Sequence, residues 1–390
     1  MEFVELSESE FKNIQDNMPT SSFYQTIEWA KIKKITGWEV CYVAVKENNI
    51  VLGATMMLSK KFIFNNKMFY APRGFLIDYT NYKLLQFFTT ELKKYIKSKK
   101  GILVKIDPLL EYQHHNSLGE IVNDNFSNKE VFNNMIKLGY RHNGFTVGYS
   151  KEAQFRWSYT LDINKSKEEL FSDMDQRCRR SIRKYEKYPL ITVDVDKENI
   201  DDFKGIMEST ARRHNHHDRS KEYYLCLKDN LKDRIKIIII YLNKKEYLEN
   251  CKEDKLYDKI KKDTRELIPI SAGVFIFDKD RSNYVYGGTY SEYMPLMAQY
   301  KLQMDMIYLS MDKKIKLYDF GGISGDFKEG TPNYGVYEFK RGFGGQAVEY
   351  IGEFNLITNY PLSILYNFTY SLYRKMKVIN IYIKKRIHKN

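Results

Sequence analysis

Basic side chains recur at helical spacing in residues 175–187, a pattern that could bind a polyanion. On a helix, Arg177, Arg180 and Lys184 share one face, because residues three and four apart are neighbours. A row of cations at this spacing can bind successive phosphates of a nucleic-acid backbone. A solvated charged face is an equally good explanation of the row, so the sequence alone leaves both interpretations open.

Two loops have the composition of ligand-binding segments. Residues 72–78, Pro-Arg-Gly-Phe-Leu-Ile-Asp, follow a predicted strand and would open above a sheet, where ligands of α/β proteins usually lie. Residues 218–223, Asp-Arg-Ser-Lys-Glu-Tyr, follow a predicted helix. His214, His216 and His217 stand beside this second loop, but no second ligand cluster has matching spacing, so we expect no metal site.

The elements that must position these residues form a repeated pattern. Hydrophobic periodicity in the second half predicts two strands, a helix and a third strand, in residues 269–277, 283–289, 297–311 and 316–320. The same order of elements occurs upstream, in residues 50–58, 67–74, 84–96 and 102–107. Two similar domains are the economical explanation, and a chance match between α/β segments is the alternative.

Length, charge and cysteine content indicate how many domains the chain forms, which kind of partner it binds and where it acts. A chain of 390 residues with 43% hydrophobic residues can form two domains of ordinary size. Its net charge of +13 favours a polyanionic partner such as RNA, a phosphorylated substrate or an anionic membrane surface. The four cysteines lack CxxC spacing, and the longest apolar run, 235–242, is far below the roughly 20 residues that cross a bilayer. We therefore expect a cytoplasmic protein that is soluble or peripheral at the inner face of the plasma membrane.

The end of the chain is basic and amphipathic. No acidic residue follows Glu353, while basic residues alternate with Leu, Ile, Tyr and Phe at Arg374, Lys375, Lys377, Lys384, Lys385, Arg386 and Lys389. A helix of this composition can lie on anionic lipid. The sequence therefore predicts a peripheral membrane contact at this end.

Several of these stretches, in one order and at similar spacing, resemble the Fem group of peptidoglycan bridge-forming aminoacyltransferases (FemA, FemB and FemX). The likeness covers nearly the whole chain. Its motifs lie in residues 23–33, 71–74, 177–187, 269–273, 286–288, 318–322, 339–343 and 349–353.

The resemblance implies an α/β fold of two tandem GNAT-like domains. Residues 1–150, completed by 354–390, would form the first domain, and 151–353 the second, with a charged helical insertion at 243–266. It also implies transfer of an amino acid from aminoacyl-tRNA to the stem peptide of a peptidoglycan precursor. FemA and FemB carry a long coiled-coil arm at the insertion and FemX lacks it, so the acceptor, lipid II or UDP-MurNAc-pentapeptide, stays open.

The same resemblance implies particular site residues. The precursor would contact Lys31, with Lys33 as the alternative if the register slips, together with Asp78, Arg219, Tyr223 and Tyr286. Cations suit this role because a diphosphate needs them and the guanidinium fork can grip phosphate oxygens bidentately. Of the two basic surfaces, the face of Arg177, Arg180 and Lys184 is assigned to tRNA.

The chemistry implied by the resemblance needs no cofactor and no metal. The tRNA ester is already activated, so an acceptor amine can attack it directly while the enzyme orients the reactants and stabilises an oxyanion. Lys340 matches the position that would supply this positive charge. An amine with a pKa of about 10.4 must also lose a proton, for which Asp107 is a candidate base. A turn-capping Asp before Pro108 explains Asp107 equally well.

Two other functions compete with this one. An acyltransferase that uses acyl-CoA would need a glycine-rich pyrophosphate loop before its central helix, and the sequence after Gly288 lacks that pattern. A non-catalytic RNA-binding or membrane-binding scaffold would explain the basic patches, but it gives no reason for Lys340 or for the ordered tyrosines.

Overall fold

The computed structural model describes residues 1–149, 154–214 and 216–387, with side chains of the last helix described as far as Tyr373 and at Met376. In chain order the strands are β1 (Glu2–Leu6), β2 (Glu39–Glu47), β3 (Ile50–Lys61), β4 (Lys67–Ala71), β5 (Leu76–Ile77), β6 (Gly101–Ile106), β7 (Glu111–His114), β8 (Tyr140–His142), β9 (Trp157–Asp162), β10 (Leu190–Asp194), β11 (Ile235–Asn243), β12 (Leu267–Phe277), β13 (Arg281–Thr289), β14 (Leu317–Ile323), β15 (Gln346–Tyr350) and β16 (Phe354–Ile357).

The helices alternate with these strands along the chain. They are α1 (Glu8–Ile14), α2 (Ile27–Ile35), α3 (Tyr82–Ser98), α4 (Lys129–Lys137), α5 (Lys167–Asp173), α6 (Gln176–Tyr185), α7 (Ile200–Arg213), α8 (Lys221–Leu231), α9 (Lys244–Asn250), α10 (Tyr257–Lys262), α11 (Ala298–Asp312), α12 (Tyr334–Arg341) and α13 (Tyr360–Ile387). Among the helices described, none is long and apolar enough to span a membrane.

The chain forms two compact units, each built on one mixed sheet. The first unit comprises Met1–Leu110, Asn128–Phe145 and Ile351–Asn390, and its strand order is β1-β2-β3-β4-β6-β16-β8, with β5 paired to β3. The second comprises Glu111–Ser127 and Thr146–Tyr350, and its order is β10-β11-β12-β13-β14-β9-β15-β7. In each unit, helices cover the sheet and bury its apolar side chains.

The predicted repeat is present in the pairing of the strands. In the first unit β3 pairs antiparallel with β4, α3 follows, and β6 returns parallel to β4. In the second, β12 pairs antiparallel with β13, α11 follows, and β14 returns parallel to β13. The periodicity in the sequence identified all eight elements of the two copies.

The parallel pair of the second unit is short. Its register runs only from Arg281 opposite Leu317 to Asn283 opposite Asp319. Beyond that point the ends of β13, with Tyr286, and of β14, with Gly321, continue without pairing to each other. The predicted motif residues of both strands therefore stand at the same end of the sheet.

The boundaries of the units differ from the predicted 1–150 and 151–353. Residues 111–127 belong to the second unit, because β7 pairs antiparallel with β15 through Glu111 and Tyr350 and their neighbours. The chain end belongs to the first unit, where β16 pairs with β6 and β8, and Leu362 and Tyr366 pack near Met68. The charged insertion 243–266 forms two short helices, α9 and α10, between β11 and β12.

Candidate active site

Lys340, the residue predicted to act at the reaction centre, lies in the last turn of α12 with 5% of its surface exposed. Its Nζ donates hydrogen bonds to the carbonyl oxygens of Gly321 at 2.9 Å and Gly322 at 2.7 Å. A buried amine needs such partners because it has lost its hydration. Two of the three N–H bonds of the ammonium are therefore directed at the end of β14.

The end of β14 has an irregular backbone that presents these two carbonyls. Its register with β9 shifts between Asp319 and Gly322, which marks a β-bulge. Gly321 has a φ of 76°, a conformation that favours glycine, and its N–H donates to Asp319 Oδ1 at 2.8 Å. The two consecutive glycines are the local reason why the strand can turn its carbonyls toward Lys340.

Asp319, which attracts the charge on Lys340, is itself held by residues from two other strands. Ser158 Oγ donates to its Oδ1, and Arg281 Nη1 donates to its Oδ2 at 3.1 Å. The same Arg281 nitrogen donates to the Tyr350 hydroxyl at 2.8 Å. The sequence analysis gave Ser158 and Arg281 no role, since Ser158 lies 161 and Arg281 38 positions from Asp319. Tyr350 lies in the motif 349–353, but its contact with Arg281 was not predicted.

Burial lowers the pKa of Lys340 to about 7, although Asp319 acts in the opposite direction. The side chain therefore exists in both protonation states near neutral pH. In the protonated state it can stabilise a developing negative charge, and at this pKa it exchanges its proton readily. An exposed lysine, with a pKa of about 10.4, could stabilise a negative charge but would not exchange its proton readily at neutral pH.

Arg219, Tyr223 and Tyr286, three of the predicted precursor contacts, form one cluster in the second unit. Tyr223 lies in the first turn of α8, and the Arg219 guanidinium stands over its ring, 5.4 Å from the centroid. Burial lowers the pKa of Arg219, but the phenols of Tyr286 and Tyr223 outweigh it, so that the pKa is raised. The cluster thus combines a permanent cation with two aromatic rings.

The loop that carries Arg219 is fixed by a buried carboxylate. Tyr224 OH donates to Asp218 Oδ1 at 2.5 Å, and Lys204 Nζ donates both to Asp218 Oδ2 and to the Arg219 carbonyl oxygen, the latter at 2.5 Å. Ser220 caps α8 by accepting from the Tyr223 N–H. Lys204 and Tyr224 are supporting residues that sequence analysis did not identify.

The predicted phosphate-binding row lies on α6, whose opposite face is buried through Cys178, Ile182 and Tyr185. Arg177 and Arg180 are exposed, and Lys184 is half-buried. Arg177 pairs with Glu338 of α12 at 2.8 Å, and Arg180 donates to Gln176 Oε1 of its own helix at 2.8 Å. These exposed contacts leave the row oriented toward solvent, as a polyanion-binding face requires.

The remaining predicted precursor contacts lie in the first unit. Lys31 and Lys33 are on α2, where Lys31 pairs with Glu8 at 3.7 Å and Lys33 Nζ stands over the Trp29 ring at 4.5 Å. Asp78 is exposed and accepts from the Thr80 N–H at 2.9 Å. Their roles in binding stay predictions.

Asp107, the candidate base, is 3% exposed and organises the Pro-Arg-Gly loop of the first unit. Tyr70 OH donates to its Oδ2 and the Arg73 N–H donates to its Oδ1, both at 2.7 Å. Arg73 has a φ of 52°, and Gln25 Nε2 donates to the Pro72 carbonyl oxygen at 2.8 Å, so the loop is held from two sides. These contacts show a loop-holding role for Asp107; its role as a base stays a prediction.

The basic tail lies on α13, which the structure describes as helical to Ile387. The side chains of Arg374, Lys375, Lys377, Lys384, Lys385 and Arg386, and residue Lys389 as a whole, lie outside the described part of the chain. On the described part of this helix, exposed apolar side chains recur at helical spacing at Ile364, Leu365, Phe368, Leu372 and Met376.

Sequence comparison agrees with these features. The model described as "FemAB family" matches residues 6–257 and 251–373. The chain belongs to the FemAB family. Aminoacyltransferase FemA of Staphylococcus epidermidis strain RP62A is 30% identical in an alignment of 421 positions that covers 97% of this chain and 99% of the relative. FemA of Staphylococcus aureus strain RF122 is 30% identical over 94% of this chain and 97% of the relative.

Solved structures give the same assignment for this FemAB-family protein. The crystal structure of FemX superposes with a TM-score of 0.80 at 25% identity, covering 94% of this chain and 99% of FemX. A tandem GNAT protein from the clavulanic acid pathway superposes with a TM-score of 0.51 at 7% identity, covering 92% and 99% of the two chains, and shows the fold alone. The predicted family and the predicted fold of two tandem GNAT-like domains are confirmed.

The lowered pKa of Lys340 predicts how stability depends on pH. Between pH 7 and about 10.4 the folded protein has lost this proton while the unfolded chain keeps it, so the free energy of unfolding rises with pH. From pH 6.5 to 9.5, wild type should gain about 3 kcal/mol relative to Lys340→Met. Guanidinium unfolding at both pH values measures the difference, and parallel pH dependence of the two proteins would contradict the prediction.

Proposed function

We infer that this FemAB-family protein is an aminoacyltransferase that transfers an amino acid from aminoacyl-tRNA to the stem peptide of a peptidoglycan precursor. Near full-length similarity to FemA supports this inference most strongly. The buried amine of Lys340, bonded to the carbonyl oxygens at the end of β14, is the proposed reaction centre. Mass analysis of the product formed from mixed charged tRNAs and either precursor, lipid II or UDP-MurNAc-pentapeptide, tests the inference and identifies the acceptor.

Lys340 is proposed to stabilise the oxyanion that forms when the acceptor amine attacks the tRNA ester. Its two hydrogen bonds to fixed carbonyls orient the amine before the substrate arrives, which avoids reorganisation during the reaction. The interaction strengthens as charge develops on the ester oxygen. It should therefore act on turnover rather than on substrate affinity.

Lys340→Met should lower turnover at least tenfold while the precursor affinity stays within twofold, because the charge acts on the transition state. Single-turnover kinetics and calorimetric precursor titration provide the two measurements. Lys328→Met, at an exposed position of the same unit, is the matched control for loss of a lysine. Unchanged turnover in Lys340→Met would remove Lys340 from the reaction centre.

The cluster of Arg219, Tyr223 and Tyr286 is proposed to bind the anionic part of the precursor. The contacts of Lys31 or Lys33 and of Asp78 with the precursor stay separate predictions. The guanidinium keeps its charge and is fixed by the ring of Tyr223. Aromatic rings beside it suit a sugar or base attached to the phosphate. A diphosphate on either acceptor fits this chemistry.

Arg219→Ala should weaken precursor binding about tenfold or more, since it removes a charge-assisted contact with the precursor. Arg219→Lys keeps the charge but not the planar fork, so it should lie between Ala and wild type. Calorimetry with each precursor measures both variants. Wild-type affinity in Arg219→Ala would exclude the residue from the binding site.

The two basic surfaces are proposed to bind different polyanions. The exposed row of Arg177, Arg180 and Lys184 on α6 would follow the tRNA backbone. The amphipathic tail on α13 would bind anionic lipid, its apolar face inserting between headgroups and its basic residues attracting them. This arrangement would keep the enzyme peripheral to the membrane.

Charge reversal at Arg180 and Lys184 should weaken tRNA binding and flatten the salt dependence of log affinity by about 0.9 per lost phosphate contact. The same variant should bind anionic vesicles as wild type does. Truncation after Tyr373 should weaken binding to anionic vesicles and leave tRNA binding unchanged. If truncation abolishes tRNA binding and the α6 variant behaves as wild type, the tail is the RNA site.

A further inference from the structure

The carbonyl oxygen of Gly322, which accepts a hydrogen bond from Lys340, also accepts one from a tyrosine hydroxyl. Tyr149 OH donates to the Gly322 carbonyl oxygen at 3.0 Å, and Lys340 Nζ donates to the same oxygen at 2.7 Å. Both residues belong to the second unit. The phenol and the amine are therefore neighbours at the end of β14, although 191 positions separate them in the sequence.

The segment that carries Tyr149 is fixed rather than loosely placed. The Gly148 N–H donates to the Ser324 carbonyl oxygen at 2.6 Å, and Arg156 Nη1 donates to the Thr146 carbonyl oxygen at 3.2 Å. Arg156 is 7% exposed and is paired with the equally buried Glu349. These contacts hold the segment along the residues that follow β14.

Glu349 is fixed in its turn. Its Oε2 lies 2.8 Å from His115 Nε2 and accepts from Gln113 Nε2 at 2.9 Å. The strands β7, β15 and β9 thus support the segment of Tyr149 through buried polar contacts. Such support is what a group needs if it must stay within hydrogen-bonding distance of a reacting atom.

The side chain of Tyr149 is accessible to solvent, whereas that of Lys340 is buried. Tyr149 is 42% exposed and Lys340 is 5% exposed. Partial burial raises the pKa of Tyr149 to about 12, so the group is a protonated phenol at neutral pH. A phenol can give a proton through its O–H and take one on its oxygen.

We propose that Tyr149 is a catalytic residue that transfers a proton from the attacking nitrogen to the leaving ribose oxygen. This inference rests on the proposed aminoacyl transfer with Lys340 at its centre. It extends the proposed site by a residue for which the sequence motifs gave no signal.

The step balances within the reactants and the phenol. The neutral acceptor amine forms a bond from its nitrogen to the ester carbonyl carbon, and the carbonyl oxygen becomes the oxyanion that Lys340 stabilises. When the bond from that carbon to the ribose oxygen breaks, the ribose oxygen takes the proton of Tyr149. The phenol oxygen regains a proton from the attacking nitrogen, which becomes the amide nitrogen. No external acid, base or cofactor is consumed in this step.

Whether the leaving group needs this proton depends on the atom that leaves. The test therefore compares an oxygen and a sulfur leaving group. A ribose alkoxide is a poor leaving group without a proton, whereas a thiolate, from a thiol of pKa about 8.5, leaves without one. The donors are a short acceptor-stem RNA charged through its ordinary ester and the same RNA charged through a thioester at a 3′-thio terminal ribose. Single-turnover rates are measured with each donor at saturating precursor.

Tyr149→Phe should slow transfer from the ester about 100-fold, the scale of general acid-base catalysis, and change the rate from the thioester less than threefold. Tyr149→Gln can still donate to the Gly322 carbonyl but cannot relay the proton, so it should behave as the Phe variant does. Tyr241→Phe, which removes a hydroxyl bonded to Asp202 at 2.8 Å, is the control and should match wild type with both donors.

Each other outcome overturns the proposal. Equal slowing of both donors, or wild-type rates in Tyr149→Phe, would show that the phenol gives no proton to the leaving oxygen. Full activity of Tyr149→Gln would show that only its hydrogen bond to Gly322 matters. If wild type transfers nothing from either donor, the proposed aminoacyl transfer fails instead, so the two failures are distinguishable.

Discussion

The cost of burying the amine of Lys340 is the constraint on which the candidate site depends. An amine with 5% exposure must exchange its hydration for fixed partners, and the carbonyl oxygens of Gly321 and Gly322 supply them. Those carbonyls are available because the strand bulges at a glycine with positive φ. Asp319 adds a compensating charge and holds the bulge through the Gly321 N–H. The part of the burial cost that these partners do not offset lowers the pKa of Lys340 to about 7.

The two units use equivalent strand ends differently. Asp107 follows β6 of the first sheet and Asp319 lies in β14 of the second, the last strands of the two repeats, and each is 3% exposed. Each accepts a backbone N–H from a nearby loop or bulge, Asp107 from Arg73 and Asp319 from Gly321. In the first unit the carboxylate shapes a loop, whereas in the second it also balances a buried amine. One structural position has thus acquired a different electrostatic role in each copy.

An ion pair joins the basic helix α6 to the helix that carries Lys340. Arg177 pairs with Glu338, two positions before Lys340, and the Arg177 side chain is 68% exposed. An exposed pair of this kind contributes about 0–1 kcal/mol, so a phosphate could replace the carboxylate at little cost. A phosphate bound at Arg177 would therefore compete with Glu338 of α12. Tyr337 of α12 packs against Phe327 and Tyr159, and these contacts hold the helix that carries Lys340 in place.

The sequence by itself determined the local elements and the identity of the family. Periodicity placed the repeated strands and helices because an apolar face must recur every two or 3.6 residues to be buried. Capping residues such as Ser166 and Asp175 fixed where α5 and α6 begin, since their side chains satisfy the first backbone N–H groups. The motifs around Tyr286, Gly321 and Lys340 carried the resemblance to the Fem group.

Only the tertiary structure decided which distant residues meet. Residues 111–127 read as part of the first domain, but the hydrogen bonds of β7 to β15 place them in the second unit. The sequence offered Asp107 as a base or a turn cap; the structure adds that Tyr70 and Arg73 donate to it and that it holds a loop, while its role as a base stays a prediction. Tyr149 carried no signal at all, because Gly322 and Lys340, the residues near its hydroxyl, are 173 and 191 positions away in the sequence. Periodicity and capping act over a few residues, whereas such contacts depend on how whole strands pair, so local patterns could not specify them.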